Sequence, residues 1–405
     1  MKNSKIYFGL ALVLVFLSFV FARANSSATS KNAADFPVVP ASKNLPAMRV
    51  ETVAANLEIV WSIVFAPDGR MFFTERPGRV RVFENGKLRA APFFTVADVE
   101  PSGESGLMGM ALHPKFAENH FVYLAYAYQD AEKNQRVRVA RYRETGETLV
   151  DAKTIIEAIP AARFHSGTRL KFGADGKLYI TTGDATNQSQ AQRLDTLGGK
   201  TLRLNDDGSI PSDNPFVNDK AARPEIWTYG HRNAQGMDFH PETNLMFQTE
   251  HGPSIIDGVS LFKRRGGDEV NIVERGKNYG WAKISHRTRR DGMETPIIEY
   301  SPAVAPASAM FYRGNLFPAF KNNFFFGALK GEAIIRLVLD GRRIVSQDKL
   351  FEKQYGRIRE IAEAADGSIY FATSNRDGRG NAKTEDDRIL RIVPVGDKPT
   401  KTEVK

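Results

Sequence analysis

An all-β chain folded as a six-bladed β-propeller is what this sequence predicts, and three observations carry the prediction. One hairpin pattern recurs: an apolar strand, a turn with Pro, Asp or Gly, then an apolar-aromatic strand. The copies recur roughly every fifty to eighty residues, a spacing that suits blades which bury their faces only by stacking on neighbours. Long helical periodicity is missing, which disfavours α/β barrels and doubly wound sheets. A pair of β-sandwiches is the architectural alternative.

The copies are read in chain order. Residues 63–75 turn at Pro67-Asp68-Gly69 and give the clearest hairpin, since Asp-Gly between β-rich runs accommodates the positive φ of a tight turn. Met110-Ala111-Leu112-His113-Pro114, leading to Phe121-Val122-Tyr123-Leu124, is a looser copy. Residues 170–181 turn at Asp175-Gly176. Met237-Asp238-Phe239-His240-Pro241 leads to Leu245-Met246-Phe247-Gln248. Phe324-Phe325-Phe326-Gly327 belongs to a further copy, and residues 361–373 turn at Asp366-Gly367. Asn85-Gly86 and Asp340-Gly341 mark outer-strand turns. The long connection at residues 205–224 is expected on the face that carries the functional site.

The N-terminus stands apart from this pattern. Lys2 and Lys5 precede an apolar run at residues 6–21, and Ala22-Arg23-Ala24 offers a small-x-small cleavage site. Residues 1–24 thus read as a secretory signal peptide. An uncleaved anchor is the alternative, disfavoured because the run is short for a span. Residues 25–45, rich in Ser, Ala, Asn and Pro, form a flexible lead-in. The propeller is expected over residues 46–395, followed by a polar tail at 396–405. No other stretch could cross a membrane, so the mature chain is expected in the periplasm or outside the cell, without stable membrane insertion. The chain has no cysteine, which excludes thiol catalysis, Cys-based metal sites and haem attachment through Cys-x-x-Cys-His. The formal net charge is +9, but its basic residues are interleaved with acids, so nucleic acid is not an expected partner.

Polar clusters fall at strand ends, where sites are usually built. His165 lies in the polar segment Arg163-Phe164-His165-Ser166-Gly167-Thr168, and Asp184 ends the next strand pair. An imidazole with a carboxylate beside it makes a general base of fixed tautomer. A turn histidine and a loop-capping aspartate are the plainer reading of the same spacing. His231-Arg232-Asn233 concentrates donors suited to carboxylate or carbonyl oxygens. Arg357 and Arg359 fall two apart, on one face of a strand, and two guanidinium groups there call for an anion between them; a solvated strand edge is the alternative. Gly252-Pro253 after Glu250-His251 suggests an exposed turn with free carbonyls, which calcium takes. The segment carrying Glu269 and Tyr279 lacks EF-hand spacing. There is no Gly-x-Ser-x-Gly elbow, no phosphate-binding loop and no dinucleotide fingerprint.

In this order, Gly103-Glu104-Ser105-Gly106, His165-Ser166-Gly167, Gly183-Asp184, Gly230-His231-Arg232-Asn233-Ala234-Gln235-Gly236, Glu250-His251-Gly252-Pro253, Gly267-Asp268-Glu269-Val270-Asn271, Asn278-Tyr279-Gly280-Trp281, Leu329-Lys330-Gly331 and Arg357-Ile358-Arg359 resemble the soluble quinoprotein glucose/sorbosone dehydrogenases, above all their periplasmic aldose sugar dehydrogenase branch. The resemblance covers residues from about 60 to 393 and implies a six-bladed propeller with pyrroloquinoline quinone (PQQ) and Ca²⁺ in a cleft at its top. It implies His165 as general base and Asp184 as its partner. Arg232 and Asn233 would hold the quinone oxygens. Glu104, His251, Lys330, Arg357 and Arg359 would line the cofactor, the last three holding its carboxylates. The carbonyls of Gly252 and Pro253 would bind the catalytic Ca²⁺; Glu269 and Tyr279 match a structural calcium site. The activity implied is oxidation of an aldose sugar at C1 to a lactone, with electrons passed to an external acceptor.

Two departures from the family pattern stand out. Glu104 occupies a position where the family has Gln, and an anion there repels PQQ unless protonated or paired. Some eleven extra residues, 254–264, follow Gly252-Pro253 and are expected to lengthen a loop at the site mouth. Two other functions compete: a propeller that has lost its cofactor and binds a ligand or partner protein, and a calcium-dependent lactonase. The lactonase would need an acidic metal cage, whereas these clusters are cationic.

Overall fold

Strand alternation and the recurring turns translate into six antiparallel sheets in the computed structural model, which describes residues 39–43, 45–258 and 266–396. Each sheet is one blade. The first holds Val60–Phe65, Met71–Glu75, Arg79–Glu84 and Lys87–Leu88, with Phe94–Thr95 also on its third strand. The second holds Leu107–Leu112, Phe121–Gln129, Gln135–Glu144 and Leu149–Pro160. The third holds Leu170–Phe172, Leu178–Thr181, Lys200–Leu204 and Ile226–Tyr229. Ala234–Phe239, Met246–Glu250, Asp268–Val273 and Ile298–Tyr300 make the fourth; Pro306–Phe311, Phe324–Ala328, Ala333–Asp340 and Arg343–Leu350 the fifth. The sixth is assembled from both ends of the described chain. Ile358–Glu363, Ile369–Thr373 and Ile389–Pro394 are completed by Met48–Ala54, paired from Met48 opposite Pro394 to Ala54 opposite Ile389. This fastens the ring, because the first and last parts of the propeller share one ladder.

The first strand of each blade lies innermost, and these strands follow one another around the axis until the sixth meets the first. Apolar side chains fill the spaces between blades. Between the fourth and fifth, Phe247, Phe311 and Phe324 pack with ring centroids 4.9–5.4 Å apart. Such tilted and edge-to-face contacts add to the burial of large rings.

Five of the hairpin copies read from the sequence are first-to-second strand turns, of the first four blades and the sixth, and Phe324-Phe325-Phe326-Gly327 is the second strand of the fifth blade, following its own turn. These turns lie on one face of the ring, and the clusters singled out as functional lie on the other. The loop at 205–224 is a correction. Leu204 pairs with Leu178, at the end of the third blade remote from Asp184, so this loop leaves from the face opposite the site. An even number of strand reversals separates it from the hairpin turns, and length alone does not report that parity. All of the proposed leader, most of the lead-in and all but Gly396 of the tail lie outside the described residues. Among the described residues no helix is long and apolar enough to cross a membrane.

Candidate active site

The loop from the second to the third blade carries His165 in a left-handed backbone conformation, φ 60°. Its carbonyl is held by Ala185 N–H at 3.1 Å and lies against Gly183, where an added Cβ would stand 1.9 Å from that oxygen. Only glycine permits this approach, so Gly183 brings the two segments together. The result is a buried pair: His165 Nδ1 lies 2.8 Å from Asp184 Oδ1. Asp184 Oδ1 also accepts from Thr186 N–H at 2.8 Å, and its Oδ2 accepts from the indole N–H of Trp281 at 2.7 Å. A carboxylate that only accepts makes Nδ1 the protonated nitrogen and leaves Nε2 with the lone pair a base needs.

Arg232 and Asn233 arrive from the junction of the third and fourth blades. The Arg232 guanidinium lies over the Trp281 ring at 5.6 Å and donates through Nη1 to the His251 carbonyl at 3.1 Å. Its Nε and Nη2 reach one oxygen of Asp257 at 3.1 and 2.7 Å. Asn233 Oδ1 accepts from Gly167 N–H and Gln235 Nε2 at 3.3 and 3.0 Å. Among the described residues its buried Nδ2 has no hydrogen-bond partner, a costly state for an amide unless a ligand accepts from it.

Beside these groups a cavity of about 190 Å³ is lined by Arg76, Gly103, Glu104, Arg163, Phe164, Gln235, His251, Leu329, Arg359, Asp377, Gly378 and Arg379. His251 Nε2 lies 2.8 Å from the Pro306 carbonyl; burial lowers its pKa against the opposing pull of Asp268 and Glu104. Arg357 and Arg359 do share a face, and the anion between them is the chain's own: Asp377 lies 2.8 Å from Arg357 and 3.6 Å from Arg359. Burial pushes the Arg359 guanidinium down to about 10 despite Asp377. Glu104 is also paired, to Arg379 Nη1 at 2.6 Å. Burial alone would raise its carboxyl, but the charges of His251, Arg379 and His165 prevail and hold it below its ordinary value. The repulsion expected of an unpaired Glu104 is thus largely cancelled. Lys330 is exposed and does not line this cavity, whereas its neighbour Leu329 does.

Gly252, Pro253, Glu269 and Tyr279 meet in a smaller adjoining cavity, with Glu250 and Arg232. Pro253 is buried and Gly252 half-buried, so this turn is less exposed than its sequence suggests. Among the described residues no hydrogen bond uses either carbonyl. Gly252 N–H is held by Asp268 Oδ1 at 2.8 Å, and its Cα faces the Gly267 backbone too closely for any Cβ. Glu269 has its carboxyl pushed well above the ordinary range by burial and then by Glu250, with Asp268 and Glu299 adding to it. Crowded buried carboxylates beside free carbonyls are a hard-cation donor set. The Tyr279 hydroxyl is already engaged with Ile272 O at 2.7 Å and Glu274 N at 2.9 Å, which leaves its carbonyl as the atom available to an ion.

A larger cavity, about 660 Å³, opens at the other end of the axis. Its ionisable groups are matched to one another: Asp238 to Lys171 at 3.0 Å and Arg313 at 2.8 Å, Glu360 to Arg169 at 2.9 Å. Glu363, in the same lining, accepts from Arg313 N–H at 2.7 Å, and burial raises its carboxyl; none of the candidate site residues singled out from the sequence reaches this cavity.

Sequence reasoning gave no role to Asp257, Asp377, Arg379 or Trp281. Of these, Trp281 was within reach, because it ends the Asn278-Tyr279-Gly280-Trp281 block.

Fold and site together define a six-bladed β-propeller with a buried histidine–carboxylate pair beside an arginine-lined cleft. The chain belongs to the Glucose / Sorbosone dehydrogenase family, whose model matches residues 57–390. It is 33% identical over 349 residues to aldose sugar dehydrogenase YliI of Escherichia coli, covering 82% of this chain and 91% of that protein. An oxidoreductase of Thermus thermophilus described as a glucose dehydrogenase superposes with a TM-score of 0.78 at 39% identity, covering 86% of this chain and all of the other. The PQQ-bound aldose sugar dehydrogenase of Streptomyces coelicolor superposes at 0.73 with 30% identity, over 86% and 99% of the two chains.

Proposed function

We propose that this chain oxidises aldose sugars at C1 to lactones with PQQ and Ca²⁺, and passes the electrons to an external acceptor after export. The observation that carries this reading is the buried His165–Asp184 pair at 2.8 Å opening beside a cleft of arginines, an unpartnered Asn233 amide and two unused carbonyls. That donor set suits a flat polycarboxylate quinone with a calcium ion. Arg357 and Arg359 would hold carboxylates, Arg232 and Asn233 the quinone oxygens, and Gly252 and Pro253 the catalytic ion. Glu269 and the Tyr279 carbonyl would hold a second calcium.

When bound, PQQ supplies the two-electron acceptor for the C1 hydride, and Ca²⁺ the Lewis acid that polarises it. His165 Nε2 takes the proton of the C1 hydroxyl. Asp184 stabilises the imidazolium that results, as a buried carboxylate does for a histidine base. Trp281 and Thr186 keep Asp184 turned toward His165. Phe164, next to the base and half-buried, offers an aromatic face to the sugar ring.

The test is a titration of the purified apo-protein with PQQ, with and without Ca²⁺, followed by dye reduction on a panel of aldoses. Saturable, calcium-dependent binding and turnover are expected. A His165→Ala variant should bind PQQ and lose dye reduction by a factor of at least 10². Equal turnover in variant and wild type would remove His165 as the base, and absence of PQQ binding would overturn the proposal.

A further inference from the structure

Asp257 has no place in the reaction just described, yet it occupies the centre of the site. It lies in the turn Ile255–Asp257, among the residues 254–264 expected from the sequence to lengthen a loop, of which 259–264 lie outside the described residues. Its side chain is almost fully enclosed. One oxygen takes both the Nε and Nη2 donors of Arg232, at 3.1 and 2.7 Å, and also accepts from Ser254 N–H at 2.8 Å. Gln188 Nε2 fixes the turn from the neighbouring loop, donating to the Asp257 carbonyl at 3.2 Å. Side-chain atoms of His165, Asp184 and Asp257 all lie within 4.8 Å of one another. An internal carboxylate therefore stands between the base and the guanidinium, where the reacting oxygens of a substrate and its oxidant have to meet. Three such groups could suggest a cation site, but the Arg232 guanidinium on Asp257 makes a positive ion there unfavourable.

We propose that Asp257 competes with the quinone for Arg232, and so sets the affinity of this chain for its cofactor. This rests on the function proposed above. Among the described residues Arg232 has one buried charge partner, and a guanidinium pairs strongly with one planar oxygen acceptor at a time through this edge. A quinone oxygen gains the Nε–Nη2 edge only as Asp257 gives it up. Loading is thus an exchange of an internal anion for an external acceptor, and its free energy is reduced by that of the Arg232–Asp257 contact. Removing the carboxylate leaves Arg232 buried and unpaired, a state that an incoming acceptor relieves.

The experiment measures PQQ binding to the calcium-loaded full chain by equilibrium dialysis, for wild type, Asp257→Asn and Asp257→Ala. Neither variant alters a group that holds the cofactor. Both should bind PQQ at least tenfold more tightly than wild type, with Ala at least as tight as Asn. Equal or weaker binding in both would overturn the competition and make Asp257 a support that orients Arg232. The wild-type arm separates this failure from that of the parent reading: if wild type and both variants fail to bind, the quinone itself is wrong and this inference falls with it. Thermal melting of each variant checks its fold, and a result from either folded variant decides the question.

Discussion

Replacing Trp281 by Phe should disable the base without dismantling the site. The indole N–H is the hydrogen-bond donor to Asp184 Oδ2, at 2.7 Å, and Asp184 is fully buried. Phe keeps an aromatic face beneath Arg232, 5.6 Å away in the wild type, so the substitution isolates that one bond. A hydrogen bond to a buried charge contributes about 1.5–3 kcal/mol. Asp184 would remain held by Thr186 and His165 through Oδ1 alone and could rotate away from the imidazole. If most of that energy is expressed where His165 accepts the proton, kcat falls roughly 10- to 100-fold, with little change in KM or in PQQ affinity. Steady-state dye reduction on a saturating aldose, with PQQ binding measured in parallel, gives the split. A lower melting temperature with kcat within twofold of wild type would refute the reasoning, because the bond would then serve the fold and not the base.

Two further expectations concern charge. Arg379→Ala should leave Glu104 unpaired in the cleft and weaken PQQ binding about tenfold, while adding Glu104→Gln should restore it to within about threefold; additive losses in the double variant would show that the pair at 2.6 Å does not act as a unit. Calcium should raise the melting temperature by on the order of 5 °C at a hundredfold excess over its Kd, from about 2.7 kcal/mol of linkage. The sign with pH follows from Glu269, whose folded-state carboxyl lies above its ordinary value of 4.5 through burial and Glu250. Its contribution is present below that value and lost as pH rises through the folded one. Calcium-free protein should therefore lose stability from pH 4.5 upward, calcium should offset the loss, and melting in chelator and in calcium across that range checks it.

The blades were legible because each first hairpin is local. Asp68-Gly69, Asp175-Gly176 and Asp366-Gly367 adopt positive-φ glycine turns that neighbouring residues alone demand. The strand Met48–Ala54 was not, since its partner Ile389–Pro394 lies at the other end of the chain and nothing local records the pairing. The site divides in the same way. His165 and Asp184 leave the ends of one hairpin, so their meeting follows from sheet geometry. Glu104 and Arg379 are separated by 275 residues, and Asp377 reaches Arg357 across a strand pair. Such contacts exist only once the ring closes, which is why the Asp377-Gly378-Arg379 turn carried no signal.

Closure also changes what the arginines mean. From the sequence they read as a well of positive charge, but in the folded chain each end of the cleft has its own balance. Arg232 is matched by Asp257, and Arg379 by Glu104. Arg357 and Arg359 share the carboxylate of Asp377, and Arg76, lining the same cavity, has its guanidinium lowered by burial against the opposing pull of Asp377, Glu58 and Glu104. The Arg76–Arg359 side therefore carries more guanidinium groups than carboxylates. A flat polycarboxylate entering the cleft is drawn to that side first, because unmatched guanidinium groups in a poorly solvated wall attract anions far more strongly than paired ones do. On the proposed function its uncharged carbonyl end would then face Arg232, Asn233 and His165. Were the proposed cofactor bound, charge asymmetry along the cleft, more than its total charge, would set which of its ends meets His165.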